Sequence, residues 1–402
     1  MPGIEFFENL KRESNTRMLL LVADGLGGLP LERGGKTELE TAITPNLDKL
    51  ADEGICGVLD PIGPGITPGS GPAHLALFGY DPIRFNVGRG LLAALGVGFP
   101  IEPGDVAARI NFCTVDDAGL VTDRRAGRIG NDVNRKLVEK LGAISIDGVQ
   151  VFVKTVKEHR AVVIFRASDL YDELNDTDPQ ATGRKPHAIR AKDEQSKKMA
   201  GIAAEFVQQA SKLLADEHPA NMLLLRGFAR YEKFITMEEA FGIRCGAIAT
   251  YPMYRGVAKL AGMNVVDCGP EPEDEVAALK ESFASFDFFF MHYKKTDSTG
   301  EDGNFDGKVK EIEHLDSLLP DIRALGFDVI AVTGDHSTPA KLKSHSWHPS
   351  PLILWSNNER GDGCTRFSET DCATKGGLGR LRSTDLMPIM LANADRLEKF
   401  GA

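Results

Sequence analysis

Met18-Leu19-Leu20-Leu21-Val22-Ala23-Asp24-Gly25 is the run that decides the fold: six apolar residues in a row, then an acid and a glycine. A half-exposed strand alternates apolar and polar residues, so an unbroken apolar run this short points to a strand covered on both faces, as in a parallel sheet. Residues 286–293 (FDFFFMHY), 327–333 (FDVIAVT) and 352–355 (LILW) have the same character. Between such runs lie amphipathic stretches. Residues 44–51 (TPNLDKLA) read as a helix with Thr44 as N-cap and Pro45 at its first position. Residues 306–319 carry helical spacing with charges outward. The expected class is α/β with a parallel-sheet core.

The middle of the chain differs. From about residue 100 to 244, charge and alternation increase (VAARINFCTV, VQVFVKTV, HRAVVIFRA). This predicts a smaller α+β domain over 100–244, inserted between core halves at 1–99 and 245–402, with about the first 16 residues an N-terminal extension. At 402 residues, 42% hydrophobic and 26% charged, the chain is neither disordered nor fibrous. Its 58 acidic against 47 basic residues give a charge of −11, which repels nucleic acid and anionic membrane. The six cysteines are scattered, with no CxxC pair, and the N-terminus lacks the apolar core of a signal peptide. A cytoplasmic protein with reduced thiols is expected, neither secreted nor membrane-spanning; self-association into a homo-oligomer is left open.

Ligands of open parallel sheets gather at the carboxyl ends of the strands. Asp24 follows the first run; Lys294-Lys295-Thr296-Asp297-Ser298-Thr299-Gly300-Glu301 follow the second; Gly334-Asp335-His336-Ser337 follow the third. His345 and His348 precede the fourth. Carboxylates with imidazoles are the donor mixture of divalent ions such as Zn²⁺ or Mn²⁺. Each pair alone is more often a turn or a cap; the coincidence at three strand ends carries the weight. The loop 63–71 (GPGITPGSG) leads into a helix-compatible stretch, so Ser70 is either that helix's cap or a nucleophile made reactive beside a metal. Two phosphate-loop motifs fail: Gly35-Lys36-Thr37 has Pro30 where a Walker loop needs glycine, and no strand precedes Gly88-Arg89-Gly90.

These residues, with DRRAGRI, VTGDHSTP and HSWHPSP, make the chain similar to the cofactor-independent (2,3-bisphosphoglycerate-independent) phosphoglycerate mutases, most closely their archaeal-type branch, within the alkaline phosphatase superfamily. The resemblance spans nearly the whole chain and implies an isomerase of glycolysis and gluconeogenesis. It implies an alkaline-phosphatase-like core, with the inserted domain closing the site against water. It implies interconversion of 3- and 2-phosphoglycerate through a phosphoserine at Ser70. Two divalent ions would serve and no 2,3-bisphosphoglycerate. Asp24, Ser70, Asp335 and His336 would hold one ion; Asp297, Glu301 and His345 the other.

Two departures stand out. Glu301 replaces the family's histidine four residues after the aspartate, which favours a harder ion, Mn²⁺ or Mg²⁺ over Zn²⁺. Gly71-Pro72 replaces the Asp-Thr that usually follows the nucleophile. A substrate with phosphate and carboxylate calls for guanidinium forks, and Arg125, Arg128, Arg166 and Arg255 are the candidates, with a proton-shuttling carboxylate sought in residues 175–179 (NDTDP). The other readings are a phosphatase or different phosphomutase on this scaffold, and a non-catalytic homologue that binds a phospho-metabolite.

Overall fold

The protein is described by a computed structural model covering residues 3–85 and 87–401. Two compact units are present: Met1–Asn86 with Ile235–Ala402, and Val87–Phe234.

The first unit is built on an eight-stranded sheet. Across it run Gly379–Arg382, Ile55–Asp60, Ser350–Ser356, Val329–Thr333, Met18–Ala23, Phe288–Tyr293, Cys245–Ile248 and Asn264–Val266. Met18–Ala23 lies at the centre, wholly buried and parallel to both neighbours. One expectation is corrected here. Ser350–Ser356 runs antiparallel to both of its neighbours, so the sheet is mixed. An apolar run reports burial on two faces but says nothing of strand direction.

Helix Phe305–Arg323 buries the stripe Ile312, Leu315, Leu319 and Ile322 at helical spacing. Its charges do not all face outward: Lys308 and Asp316 are buried on the same side. Asp316 Oδ1 accepts from the backbone N–H of Asn46 at 3.0 Å and Leu47 at 2.7 Å, satisfying the free donors at the start of helix Pro45–Glu53. Thr44 therefore sits at the N-cap position without making a side-chain cap bond.

In the second unit an antiparallel sheet runs Val121–Asp123, Val106–Val115, Arg160–Arg166, Gln150–Lys157, with Met222–Arg230 also paired to Val106–Val115. Alternate residues point opposite ways. Val106, Ala108, Ile110 and Phe112 pack with residues of helices Asn131–Leu141 and Lys197–Leu214. Ala107, Val162 and Ile164 pack with Ala93 and Ala94 of helix Arg89–Gly96. A Cβ on Gly90 would stand 2.4 Å from the Ala107 carbonyl oxygen, so only glycine lets this helix approach so closely. That packing starts the second unit at residue 87, ahead of the composition change near 100, and helix Met237–Phe241 belongs to the first unit, ahead of 244.

Candidate active site

The parallel pairings put three strand ends side by side, with Ala23 opposite Tyr293 and Val22 opposite Thr333. Asp24, Lys294 and Gly334-Asp335-His336 leave the sheet at that common edge. The short helix Lys295–Glu301 carries Asp297 back to it. Asp24, Asp297, Asp335 and His336 are all buried.

Hydrogen positions follow from the network. Thr338 Oγ1 donates to Asp297 Oδ1 at 2.7 Å, so it can only accept from His336 Nδ1 at 3.0 Å. His336 Nε2 is then a bare lone pair, 3.1 Å from Asp335 Oδ2 and 3.5 Å from Asp24 Oδ1. Neither of those carboxylate oxygens has a hydrogen-bond partner. Three acceptors thus face one another in the interior, with ligand atoms all within 4.8 Å. Only a cation, or protonation, relieves such a cluster.

The same logic applies next door. His345 Nδ1 lies 2.9 Å from the Pro68 carbonyl, which can only accept, so the proton sits on Nδ1, and Nε2 faces Asp297 Oδ1 at 3.7 Å and Glu301 Oε1 at 3.8 Å. The tight triple here is Asp297, His336 and His345, the two rings stacked with centroids 3.6 Å apart. Glu301 stands at its rim with a side chain 56% exposed. His348 turns elsewhere, to Ser346 Oγ at 3.0 Å. These donor sets fit divalent cations.

Ser70 is the first residue of helix Ser70–Leu77, whose N-cap is Gly69, so the capping role is not its own. Its Oγ lies 3.2 Å from His336 Nε2, to which it donates. One turn on, buried His74 places Nδ1 2.7 Å from the Ser70 carbonyl and 3.3 Å from Asp335 Oδ2.

Several members of the site were not singled out in the sequence. Lys294 Nζ donates to Asp24 Oδ2 at 2.9 Å and to Asp297 Oδ2 at 2.5 Å. Tyr254 OH donates to Asp24 Oδ2 as well, and its ring stacks on His292 at 3.6 Å. Buried Lys308 spends all three protons on the carbonyls of Gly25, Gly27 and Thr338, at 2.8, 3.0 and 2.9 Å. Lys294 had a signal, since it directly follows a strand. The rest become visible only in three dimensions.

Burial governs the electrostatics. It pushes the Asp335 carboxyl well above its ordinary range, with the Asp24 charge adding to the effect. It pulls the His336 imidazole well below, with His345 adding, and takes His74 down to about 3. Burial also works to raise Asp24, yet Lys294 and then His292 hold that carboxyl well below the usual range.

The arginines divide. Arg166 is spent on a fork to Asp105 (2.8 and 2.7 Å) and a bond to Glu102 (2.6 Å), so it braces its own unit and is not free for a substrate. Arg255 makes a single bond of 2.7 Å to Asp267, whose side chain is 91% exposed. Arg125 and Arg128 are exposed on a turn where Ala126, Gly127 and Arg128 all have positive φ. With Arg109 and Arg160 they act electrostatically on buried His159, whose pKa falls to about 4, first from burial and then from these cations. Asp178 is locked in a fork by Arg124 at 2.9 and 2.8 Å, and Asp176 accepts the Gly227 N–H at 2.8 Å. Neither is a free proton shuttle.

The profile of the family described as 2,3-bisphosphoglycerate-independent phosphoglycerate mutase matches residues 51–221. A probable 2,3-bisphosphoglycerate-independent phosphoglycerate mutase of Thermus thermophilus is 50% identical over 98% of this chain and 98% of its own length. Its counterpart in Deinococcus radiodurans is 49% identical over 99% of each. Among solved structures, the cofactor-independent phosphoglycerate mutase of Thermoplasma acidophilum is 30% identical with a TM-score of 0.68, covering 94% of this chain and 100% of that one. A Pyrococcus horikoshii protein, 33% identical, superposes with a TM-score of 0.83 over 96% of this chain and 99% of its own. Identity at this level from end to end places the chain in the family of 2,3-bisphosphoglycerate-independent phosphoglycerate mutases.

Proposed function

We propose that this protein interconverts 3-phosphoglycerate and 2-phosphoglycerate without 2,3-bisphosphoglycerate, carrying the phosphoryl group on Ser70. The observation that carries this reading is the 3.2 Å contact from Ser70 Oγ to His336 Nε2 at the edge of the buried acceptor clusters. Asp24, Ser70, Asp335 and His336 would hold one divalent ion. Asp297, Glu301 and His345 would hold the other. Mn²⁺ suits this oxygen-weighted set best, with Mg²⁺ and Zn²⁺ as alternatives. Such ions, when bound, neutralise phosphoryl charge and lower the pKa of an attached hydroxyl.

The chain's own residues do the rest. Ser70 Oγ, placed beside His336, gives up its proton and bonds to phosphorus as the bond to the glycerate 3-oxygen breaks; that oxygen takes up a proton. The glycerate turns without leaving, its 2-hydroxyl gives up a proton as the oxygen attacks phosphorus, the Oγ–P bond breaks and Ser70 is reprotonated. Lys294 keeps a fixed positive charge beside Asp24 and Asp297 throughout. Arg125 and Arg128, and Arg255 through its exchangeable surface pair, are the guanidinium groups offered to the substrate's carboxylate and phosphate. The substrate is a small soluble anion, and among the described residues no helix is long and apolar enough to cross a membrane; work in the cytoplasm follows from this reading.

The test supplies 3-phosphoglycerate to metal-loaded protein and reads both 2-phosphoglycerate, through enolase, and inorganic phosphate. The expected product is 2-phosphoglycerate with no free phosphate. Phosphate alone would replace this reading by a phosphatase, a failure of water exclusion around the phosphoserine. Substrate binding with neither product would leave a non-catalytic binder.

A further inference from the structure

Away from the Asp/His rim, three of the six cysteines converge. Cys56 lies in strand Ile55–Asp60, Cys372 in helix Glu369–Thr374 packed on that strand, and Cys364 in the loop leading to the helix. All three are buried and free. The Cys56 thiol meets that of Cys372, with Cys364 beside it. One ligand atom each from Cys56, Cys364 and Asp362 lie within 4.8 Å of one another.

Asp362 is fixed by the backbone around it. Its Oδ2 accepts from the N–H groups of Cys56 (2.6 Å) and Gly377 (2.7 Å), and its Oδ1 from Cys364 (2.9 Å). With a single such bond, Oδ1 retains a lone pair. Exposed Gly361 and Gly363 flank this half-buried carboxylate, so solvent reaches Asp362 from that side. Two strands separate Ile55–Asp60 from Met18–Ala23 in the sheet.

We propose that Cys56, Cys364, Cys372 and Asp362 form a binding site for a thiophilic divalent cation of the Zn²⁺ class, distinct from the phosphoryl-transfer site. A thiol buried only to fill space can face carbon on every side, whereas Cys56 and Cys364 lie together next to an anion, and Cys372 adjoins Cys56 with its Sγ 3.8 Å from the Leu352 carbonyl, as Cys364 Sγ is 3.5 Å from that of Asp371. Three sulfurs and one carboxylate oxygen are a tetrahedral donor set for a borderline-soft ion. Sulfurs about 2.3 Å from such an ion stand roughly 3.8 Å apart, inside the 4.8 Å that encloses the Cys56, Cys364 and Asp362 donors. Each coordinated thiol releases one proton to solvent as its sulfur–metal bond forms, so binding strengthens as pH rises.

The test titrates Cd²⁺ into the reduced, full-length protein after dialysis against chelator. The expected result is an ultraviolet thiolate-to-metal absorption that saturates at one ion per chain and is erased by excess Zn²⁺. Imidazoles and carboxylates give no such band, so the signal reports sulfur alone. The C56S/C364S variant should lose the band and keep whatever turnover the wild type shows. No band in the wild type, or a band that survives in the variant, overturns the proposal; the wild-type titration decides by itself if the variant does not fold.

Discussion

In the proposed reaction the chemistry turns on Ser70 and Glu301. Ser70→Ala removes the one hydroxyl aligned on His336 Nε2, and the expected loss of mutase rate is at least about a thousand-fold. Its melting temperature should stay close to wild type, because a half-buried Oγ is lost and no cavity of consequence opens. A retained rate would remove Ser70 as the phosphoryl carrier. Glu301, 3.8 Å from His345 Nε2 and half in solvent, makes a subtler case. Glu301→His should move the metal preference from Mn²⁺ toward Zn²⁺ in calorimetric titrations, because imidazole is the softer donor; an unchanged preference would take Glu301 out of the ligand set. The grouping of Asp24, Asp297, Asp335 and His336 was legible because strand ends are where an open sheet collects function. His74, His292 and Tyr254 were not, since a histidine or tyrosine packed behind a site leaves the same trace in a sequence as one packed anywhere else.

At the scale of elements, helix Phe305–Arg323 does more than cover the sheet. Lys308 opens its buried stripe and ties together the Gly25–Gly27 turn and the Thr338 segment, which carry Asp24 and Asp335-His336 at their starts. Helical periodicity placed this helix but sent its charges outward, because a lysine on the inner face is rare unless its protons are all used. Lys308→Met keeps the length and loses the three bonds. It should cost about 2–4 kcal/mol of stability, being three charge-assisted bonds less the desolvation of a buried ammonium. It should also weaken metal binding at least about tenfold, since the two loops are no longer held in register. Chemical denaturation and metal calorimetry on the folded variant separate the two effects. Wild-type metal affinity in a destabilised variant would show that Lys308 supports the fold without positioning the ligands.

For the whole molecule, the apolar runs announced a doubly covered sheet and the alternating middle announced a second unit. The antiparallel turn of Ser350–Ser356 stayed hidden because hydrogen-bond direction leaves no mark on hydrophobicity. Global stability carries a further consequence of burial. Glu275, in helix Pro272–Ser282, is 4% exposed, and burial raises its carboxyl from 4.5 to about 8, partly opposed by Lys295. The folded form therefore keeps this proton at pH values where the unfolded chain has lost it. The stabilisation is complete below about pH 4.5 and drains away as pH climbs through about 8. Glu275→Gln is neutral at every pH and escapes that loss. Urea denaturation of both proteins in chelator should show the variant gaining on the wild type steadily across this window, by on the order of 3–5 kcal/mol at its upper end if the whole shift is expressed. Every other titrating group is common to the two proteins, so the difference isolates Glu275. Parallel stability curves would mean that the folded protein already accommodates its charge.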